Sequence, residues 1–165
     1  MKQLLVVRHA KSSWANPGQP DFDRPLNDRG ERDAPMMAKR SWDRGVRLDA
    51  LVSSPAVRAY TTALFFAEQF GFKKKDIVLV DRLYHAGAET FYDVIEKELK
   101  DSWDSVAIFS HNPGITYFVN SLGVARVDNM PTCAVFGVQA DIAHWKDLAN
   151  AQKRFELFDY PKNMG

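Results

Sequence analysis

The first strand of the chain is expected in the run Leu4-Leu5-Val6-Val7-Arg8-His9-Ala10-Lys11. Its four apolar residues predict a strand buried on both faces, as in a parallel sheet that is covered by helices. An arginine and a histidine follow at once, where the strand ends. We therefore searched the chain for other strands that bring polar side chains to the same edge of the sheet.

Strand-like apolar runs alternate with helical patterns along the chain, which favours an α/β fold. Run length and residue type predict strands at residues 2–7, 49–53, 77–83, 105–110, 134–139 and 154–158. Apolar spacing predicts helices at residues 28–44, 56–70, 89–99 and 113–122. We expect a three-layer α/β/α sandwich around a mostly parallel sheet, with the last two strands antiparallel at its edge.

Two kinds of local signal set the expected starts of the helices. Asp28, with Glu31 three residues later, has the spacing of a capping box. The sequences Ser54-Pro55 and Asn112-Pro113 each place an N-capping residue before a proline at the first helical position. The second and fourth predicted helices thus begin directly after strands.

Bulk composition indicates one domain over residues 1–165 and excludes several function classes. The chain has 22 Lys plus Arg against 21 Asp plus Glu, which gives no electrostatic basis for a nucleic-acid or membrane partner. Cys133 is the only cysteine, so we expect no internal disulfide and a reducing compartment. The apolar run before Arg8 is too short for a signal peptide or a membrane span, so a cytoplasmic location is expected.

Four cation-capable side chains are predicted to share one edge of the sheet. Arg8 and His9 end the first strand, and His111 follows the fourth. Arg58 lies near the start of the second helix, where helical side chains lean back toward the N-terminus. Two guanidiniums can hold phosphate oxygens, while one of two imidazoles acts as a nucleophile. This set suits phosphoryl transfer through a covalent phosphohistidine.

Further stretches extend this pattern into a series of motifs. They are Val7-Arg8-His9-Ala10, Arg24-Pro25-Leu26-Asn27-Asp28-Arg29-Gly30, Ser53-Ser54-Pro55-Ala56-Val57-Arg58, Leu83-Tyr84-His85-Ala86 and Ser110-His111-Asn112-Pro113. In this order the chain resembles the histidine phosphatase superfamily, with its phosphoglycerate mutase-like fold, and within it the SixA-type phosphohistidine phosphatases. The resemblance implies that His9 is the nucleophile, that Arg8 and Arg58 clamp the phosphoryl group, and that His111 hydrogen-bonds to it. It implies no metal or cofactor.

The chain departs from the family pattern at three places. Ala10 stands where the family has glycine. The asparagine that family members place on the phosphate is shifted by one position, so that Ser12 or Asn16 is the candidate to replace it. His85 stands where many relatives have a glutamic acid that protonates the leaving oxygen. His85 can itself serve as the acid or only line the pocket, and the sequence leaves both options open.

The missing glutamate favours a substrate with a phosphorus–nitrogen bond, because an imidazole leaves more easily than an alkoxide. The leading hypothesis is a phosphatase for phosphohistidine on a signalling protein such as a phosphotransfer domain. A phosphatase of small phosphate esters and a phosphoprotein-binding module without turnover are the alternatives.

Other phosphatase chemistries fit poorly. Cys133 lacks the arginine that Cys-x5-Arg enzymes carry six residues later, since Gln139 stands there. The run Asp21-Phe22-Asp23 superficially resembles the Asp-x-Asp of aspartyl phosphatases, but no strand precedes it.

Overall fold

A computed structural model describes residues 1–163, and only Met164 and Gly165 of the expected domain lie outside that range. The strands in it are β1 (Lys2–Arg8), β2 (Ala50–Ser53), β3 (Val78–Leu79), β4 (Ser105–Ser110), β5 (Val135–Ala140) and β6 (Lys153–Asp159). The α-helices are α1 (Asp28–Asp43), α2 (Val57–Phe70), α3 (Ala88–Glu98) and α4 (Gly114–Ser121). None of the helices in residues 1–163 combines the length and the apolar character that crossing a membrane requires.

The six strands form one sheet in the order β3-β2-β4-β1-β5-β6. Strands β3, β2, β4 and β1 run parallel to one another. Strand β5 is antiparallel to both of its neighbours, β1 and β6. The mostly parallel α/β sandwich predicted from the sequence is thereby confirmed. The expectation of two edge strands is correct only for β6, because β5 lies inside the sheet between β1 and β6.

The two faces of the sheet carry separate apolar cores. Leu4 and Val6 of β1 pack on the face that Phe91 of α3 and Phe118 of α4 cover. Their neighbours Leu5 and Val7 pack on the opposite face, with α1 and α2. Side chains of a strand alternate between faces, so a strand covered on both sides reads as a continuous apolar run.

Several predicted boundaries are wrong by a few residues. The third strand holds only Val78–Leu79, which pair with β2, and the chain turns into a 3₁₀ helix at Asp81–Leu83. Helix α1 is capped by Asn27, whose side chain accepts from the backbone N–H of Gly30, and not by Asp28. Helices α2 and α4 begin after Ala56 and Pro113, so neither Ser54 nor Asn112 is the N-cap residue.

The strand order brings the carboxyl ends of β1, β2 and β4 together. Arg8 pairs with Ser110 across β1 and β4, and Ser53 pairs with Phe109 across β2 and β4. In open α/β sheets, ligands bind at this edge, outside the carboxyl ends of the strands. The candidate site is therefore expected there.

Candidate active site

His9 is fixed by its backbone at the end of β1. Its N–H donates to the carbonyl oxygen of Ser110 at 3.1 Å, and its carbonyl accepts from the N–H of Cys133 at 3.0 Å. The side chain is 6% exposed. Ala10 follows without a positive φ, so the chain accommodates a Cβ where relatives have glycine.

The imidazole of His9 is held in one tautomer. Nδ1 lies 2.7 Å from the carbonyl oxygen of Ala10. A carbonyl oxygen only accepts, so Nδ1 carries the hydrogen and Nε2 keeps its lone pair. Burial lowers the pKa of His9 well below its usual value, and the positive charges of Arg8 and Arg58 lower it further, while the hydrogen bond to Ala10 raises it. His9 therefore stays neutral and nucleophilic at neutral pH.

Both arginines are anchored through their terminal nitrogens. Nη1 of Arg8 donates to the carbonyl of Met130 at 2.8 Å, and Nη1 of Arg58 donates to the carbonyl of Asp21 at 2.7 Å. The Nε atoms of both side chains are buried, with no partner in the described chain. The pKa of Arg8 is lowered by burial and by the charge of Arg58. Two neighbouring cations with unpaired donors form a site suited to an anion.

His111 follows β4 and contacts His9, with ring centroids 5.1 Å apart. Its Nε2 lies 2.8 Å from Oγ of Ser54, which also accepts from the N–H of Ala56. When the serine hydroxyl donates to Nε2, the ring hydrogen of neutral His111 lies on Nδ1, a buried atom without a partner in residues 1–163. Burial, and next the charge of Arg58, lower the pKa of His111 to about 3. His111 is thus a neutral donor toward a ligand.

Asp21 is a site residue that the sequence analysis set aside. Its Oδ2 accepts from Tyr84 Oη at 2.7 Å and from Arg58 Nη2 at 3.0 Å. Its Oδ1 accepts from Nε of Arg24 at 3.1 Å. Asp21 lies in a short 3₁₀ turn of the loop between β1 and α1, and neither periodicity nor a neighbouring strand indicates its position.

Ser54 and Thr62 are two further residues that the sequence analysis did not assign to the site. Oγ1 of Thr62 accepts from the N–H of Ala10 at 2.9 Å and donates to the carbonyl of Arg58 at 2.8 Å. It thus ties the loop after His9 to the helix that carries Arg58. A threonine inside a helix has no sequence feature that would mark this role.

A cavity of about 530 Å³ lies beside Arg58 and His111. Its other lining residues are Asp21, Tyr84, His85, Ala86, Gly87, Asn112, Pro113, Gly114 and Tyr117. His85 is exposed, has a φ of 65° and stacks on Tyr84 with ring centroids 3.9 Å apart. The structure thus brings five of the predicted residues together, namely Arg8, His9, Arg58, His85 and His111.

The two candidate replacements for the family asparagine do not line this cavity. Ser12 is buried and forms an isolated bridge with Leu26. Asn16 is exposed, and its side-chain oxygen accepts from the N–H of Gly18 at 3.3 Å. Within residues 1–163, no three His, Cys, Asp or Glu side chains cluster as potential metal ligands.

Solved structures with the same fold include SixA proteins. One, from Agrobacterium tumefaciens and assigned as a phosphohistidine phosphatase, has a TM-score of 0.78 at 28% identity, covering 97% of this chain and 98% of that one. The protein histidine phosphatase SixA complexed with tungstate has a TM-score of 0.82 at 19% identity, with 99% of each chain covered. The second match, at its low identity, shows the fold alone.

Two curated proteins are also similar to this chain in sequence. An uncharacterized chloroplastic protein of Arabidopsis thaliana is 27% identical over 88% of this chain and 70% of its own length. Phosphoserine phosphatase 1 of Hydrogenobacter thermophilus is 30% identical over 62% of this chain, which spans only 47% of that relative.

The family follows from the match to a sequence model. Residues 4–92, more than half of the 165-residue chain, match the model described as histidine phosphatase superfamily, branch 1. That range contains Arg8, His9 and Arg58, and the fold adds His111 beside them. This protein belongs to the histidine phosphatase superfamily.

Proposed function

We propose that the chain is a metal-independent phosphatase that works through a phosphorylated His9. The observation that supports this most directly is the hydrogen bond from Nδ1 of His9 to Ala10, which leaves Nε2 as a nucleophile beside two arginines. The positive charge that a metal supplies in other phosphatases would come from Arg8 and Arg58.

The proposed reaction has two steps. In the first, Nε2 of His9 bonds to phosphorus, and the bond to the leaving atom breaks with its electron pair going to the leaving group. In the second, water adds to phosphorus as the P–Nε2 bond breaks, which releases inorganic phosphate and neutral His9. The unpaired Nε atoms of the arginines and Nδ1 of His111 would donate to the phosphoryl oxygens in both steps.

We further propose phosphohistidine on a signalling protein as the substrate. The likeness to SixA structures supports this choice, as does His85 at the position where many relatives have an acidic proton donor. A cavity open at the surface gives a side chain on another protein access to the site. Hydrolysis of small phosphate esters is the second candidate, and the match to a phosphoserine phosphatase favours it.

Activity on a generic phosphomonoester and on a phosphohistidine peptide tests the first proposal. We expect wild-type protein to hydrolyse at least one of them in the presence of a chelator, and His9→Ala to lose that activity by more than about 10³-fold. Retained activity in His9→Ala would overturn the mechanism. Binding of either compound without any turnover would instead identify a phosphoprotein-binding module.

Comparison of kcat/KM for the phosphohistidine peptide with kcat/KM for sugar phosphates tests the substrate class. A higher value for the peptide supports the first candidate. A higher value for the sugar phosphates favours the second.

A further inference from the structure

The carboxylate of Asp21 forms part of the cavity wall where the leaving group of a substrate would lie. It is in the same cavity as His111 and is held by the hydroxyl of Tyr84 at 2.7 Å and by Nη2 of Arg58 at 3.0 Å. Each of its oxygens accepts at least one hydrogen bond, since Arg24 binds the other oxygen. The carboxylate is therefore fixed in position.

Asp21 carries its negative charge at all working pH values. The hydrogen bond from Tyr84 is the largest cause that holds its pKa well below the usual range, and Arg58 and Arg24 act in the same direction. An ionised carboxylate cannot donate a proton to a leaving group. Its contribution to a bound substrate is electrostatic.

Cationic side chains are scarce in the cavity wall around Asp21. Arg58 is the only lysine or arginine among the described residues that line it, and both of its terminal nitrogens are already bound to Asp21. Tyr84 and Tyr117 add aromatic side chains, whose faces attract cations. The part of the wall formed by Asp21, Tyr84 and Tyr117 therefore favours positive charge on a substrate.

We propose that Asp21 determines specificity by favouring substrates in which phosphorus is bonded to a positively charged nitrogen ring, such as an N-phosphorylated imidazolium, over esters whose leaving part carries an anionic group. This inference rests on the proposed function. In the reaction, Nε2 of His9 bonds to phosphorus and the P–N bond of the substrate breaks. The electron pair goes to the ring, which departs as neutral imidazole with the hydrogen already on its other nitrogen, so no proton donor is required.

The test compares Asp21→Asn with wild type on three substrates: an N-phosphorylated histidine peptide, phenyl phosphate and 3-phosphoglycerate. Asparagine keeps one acceptor oxygen, which can serve Tyr84 and Arg58, and it removes the charge together with the hydrogen bond from Arg24. The matched control is Asp23→Asn, since Asp23 is an exposed carboxylate of the same 3₁₀ turn and does not line the cavity. Inhibition by inorganic phosphate is measured in parallel, because it reports on the phosphoryl site without a leaving group.

We expect Asp21→Asn to lower the ratio of kcat/KM for the histidine peptide to kcat/KM for each ester by about tenfold or more. The ratio to 3-phosphoglycerate should change most, because that ester carries an anionic leaving part. Asp23→Asn should leave these ratios unchanged. Equal losses on all three substrates, accompanied by weaker inhibition by phosphate, would show that Asp21 only positions Arg58 and would overturn the inference. That result would leave the proposed function intact, whereas activity in His9→Ala would overturn the function itself.

Discussion

At the scale of single residues, each arginine of the site binds the protein through a terminal nitrogen and leaves its Nε atom unpaired within residues 1–163. The terminal nitrogens of Arg8 and Arg58 donate to the carbonyls of Met130 and Asp21, and their Nε atoms remain unpaired. The planar guanidinium has donors in fixed directions, so anchoring one edge also orients the other. In the proposed mechanism, the two guanidiniums would thus be organised before a phosphoryl group binds, which is the condition for electrostatic stabilisation of a transition state.

Arg58→Lys tests this division of donors. A lysine has a single ammonium group and cannot bind Asp21 and a phosphoryl oxygen with the same fixed geometry. We expect kcat/KM to fall by roughly 10²–10³-fold, in the range found when a donor to the transition state is removed.

The control for that variant is Arg47→Lys, at a surface arginine that stacks on Trp42 and does not line the cavity. This change should leave kcat/KM within about twofold of wild type. A similar loss of activity in both variants, or none in Arg58→Lys, would contradict the role given to Arg58.

The sequence could predict the residues that stand at strand ends but not those that support them. Arg8, His9 and His111 each follow an apolar run directly, so their placement follows from the strands alone. Asp21 reaches the site from an irregular loop, and Ser54 and Thr62 act through hydrogen bonds that depend on the packing of α2. Nothing local in the sequence marks such contacts, since they join elements that are distant along the chain.

At the scale of elements, the start of α4 packs closely against the segment that carries Tyr84 and His85. A Cβ built on Gly114 would overlap the carbonyl oxygen of Ala86, whereas one built on Gly87 meets nothing within 4 Å. The glycine in α4 thus permits the approach of backbone that forms one wall of the cavity.

Gly114→Ala should therefore be destabilising although alanine is the better helix former. Propensity alone would favour alanine by about 1 kcal/mol. The clash must move backbone, and we expect the free energy of unfolding to drop by about 2 kcal/mol or more. Chemical denaturation of Gly114→Ala and of the control Gly87→Ala measures this. Equal stability of the two variants would contradict the close packing.

Element boundaries also show where sequence patterns stop being informative. The apolar content of residues 77–83 predicts a long strand, yet only Val78–Leu79 pair with β2 before the chain turns into a 3₁₀ helix at Asp81–Leu83. The partner of a strand is a property of the sheet and not of the strand's own sequence. The N-cap of α1 also differs from the one predicted from the sequence. Asn27 and Asp28 are both good N-cap residues, and the path of the preceding loop selects Asn27.

At the scale of the whole molecule, two buried histidines link folding to pH. The unfolded chain takes up protons on both near pH 6.5, while in the folded protein the pKa of His9 is well below that value and the pKa of His111 is about 3. At pH values between the folded-state and unfolded-state pKa of a histidine, the unfolded chain binds more protons than the folded protein. The free energy of unfolding should therefore decrease as the pH falls from roughly 6.5 to 4.5, with each histidine contributing up to about 1.4 kcal/mol per pH unit.

Denaturant unfolding across that pH range measures the slope. His111→Gln removes one of the two groups, so its slope should be smaller than that of wild type by up to about 1.4 kcal/mol per pH unit. An unchanged slope in His111→Gln, or stability that rises as the pH falls, would contradict the burial of neutral histidines at the site.

The measurement that tests the central claim most directly is capture of the phosphorylated enzyme. Wild-type protein is mixed with radiolabelled phosphohistidine peptide, quenched with alkali on the millisecond scale and analysed for label by peptide mapping. We predict label on His9, attached through an acid-labile bond, formed at least as fast as the steady-state turnover, and absent in His9→Ala. Turnover at the wild-type rate with no label on His9 would contradict the account.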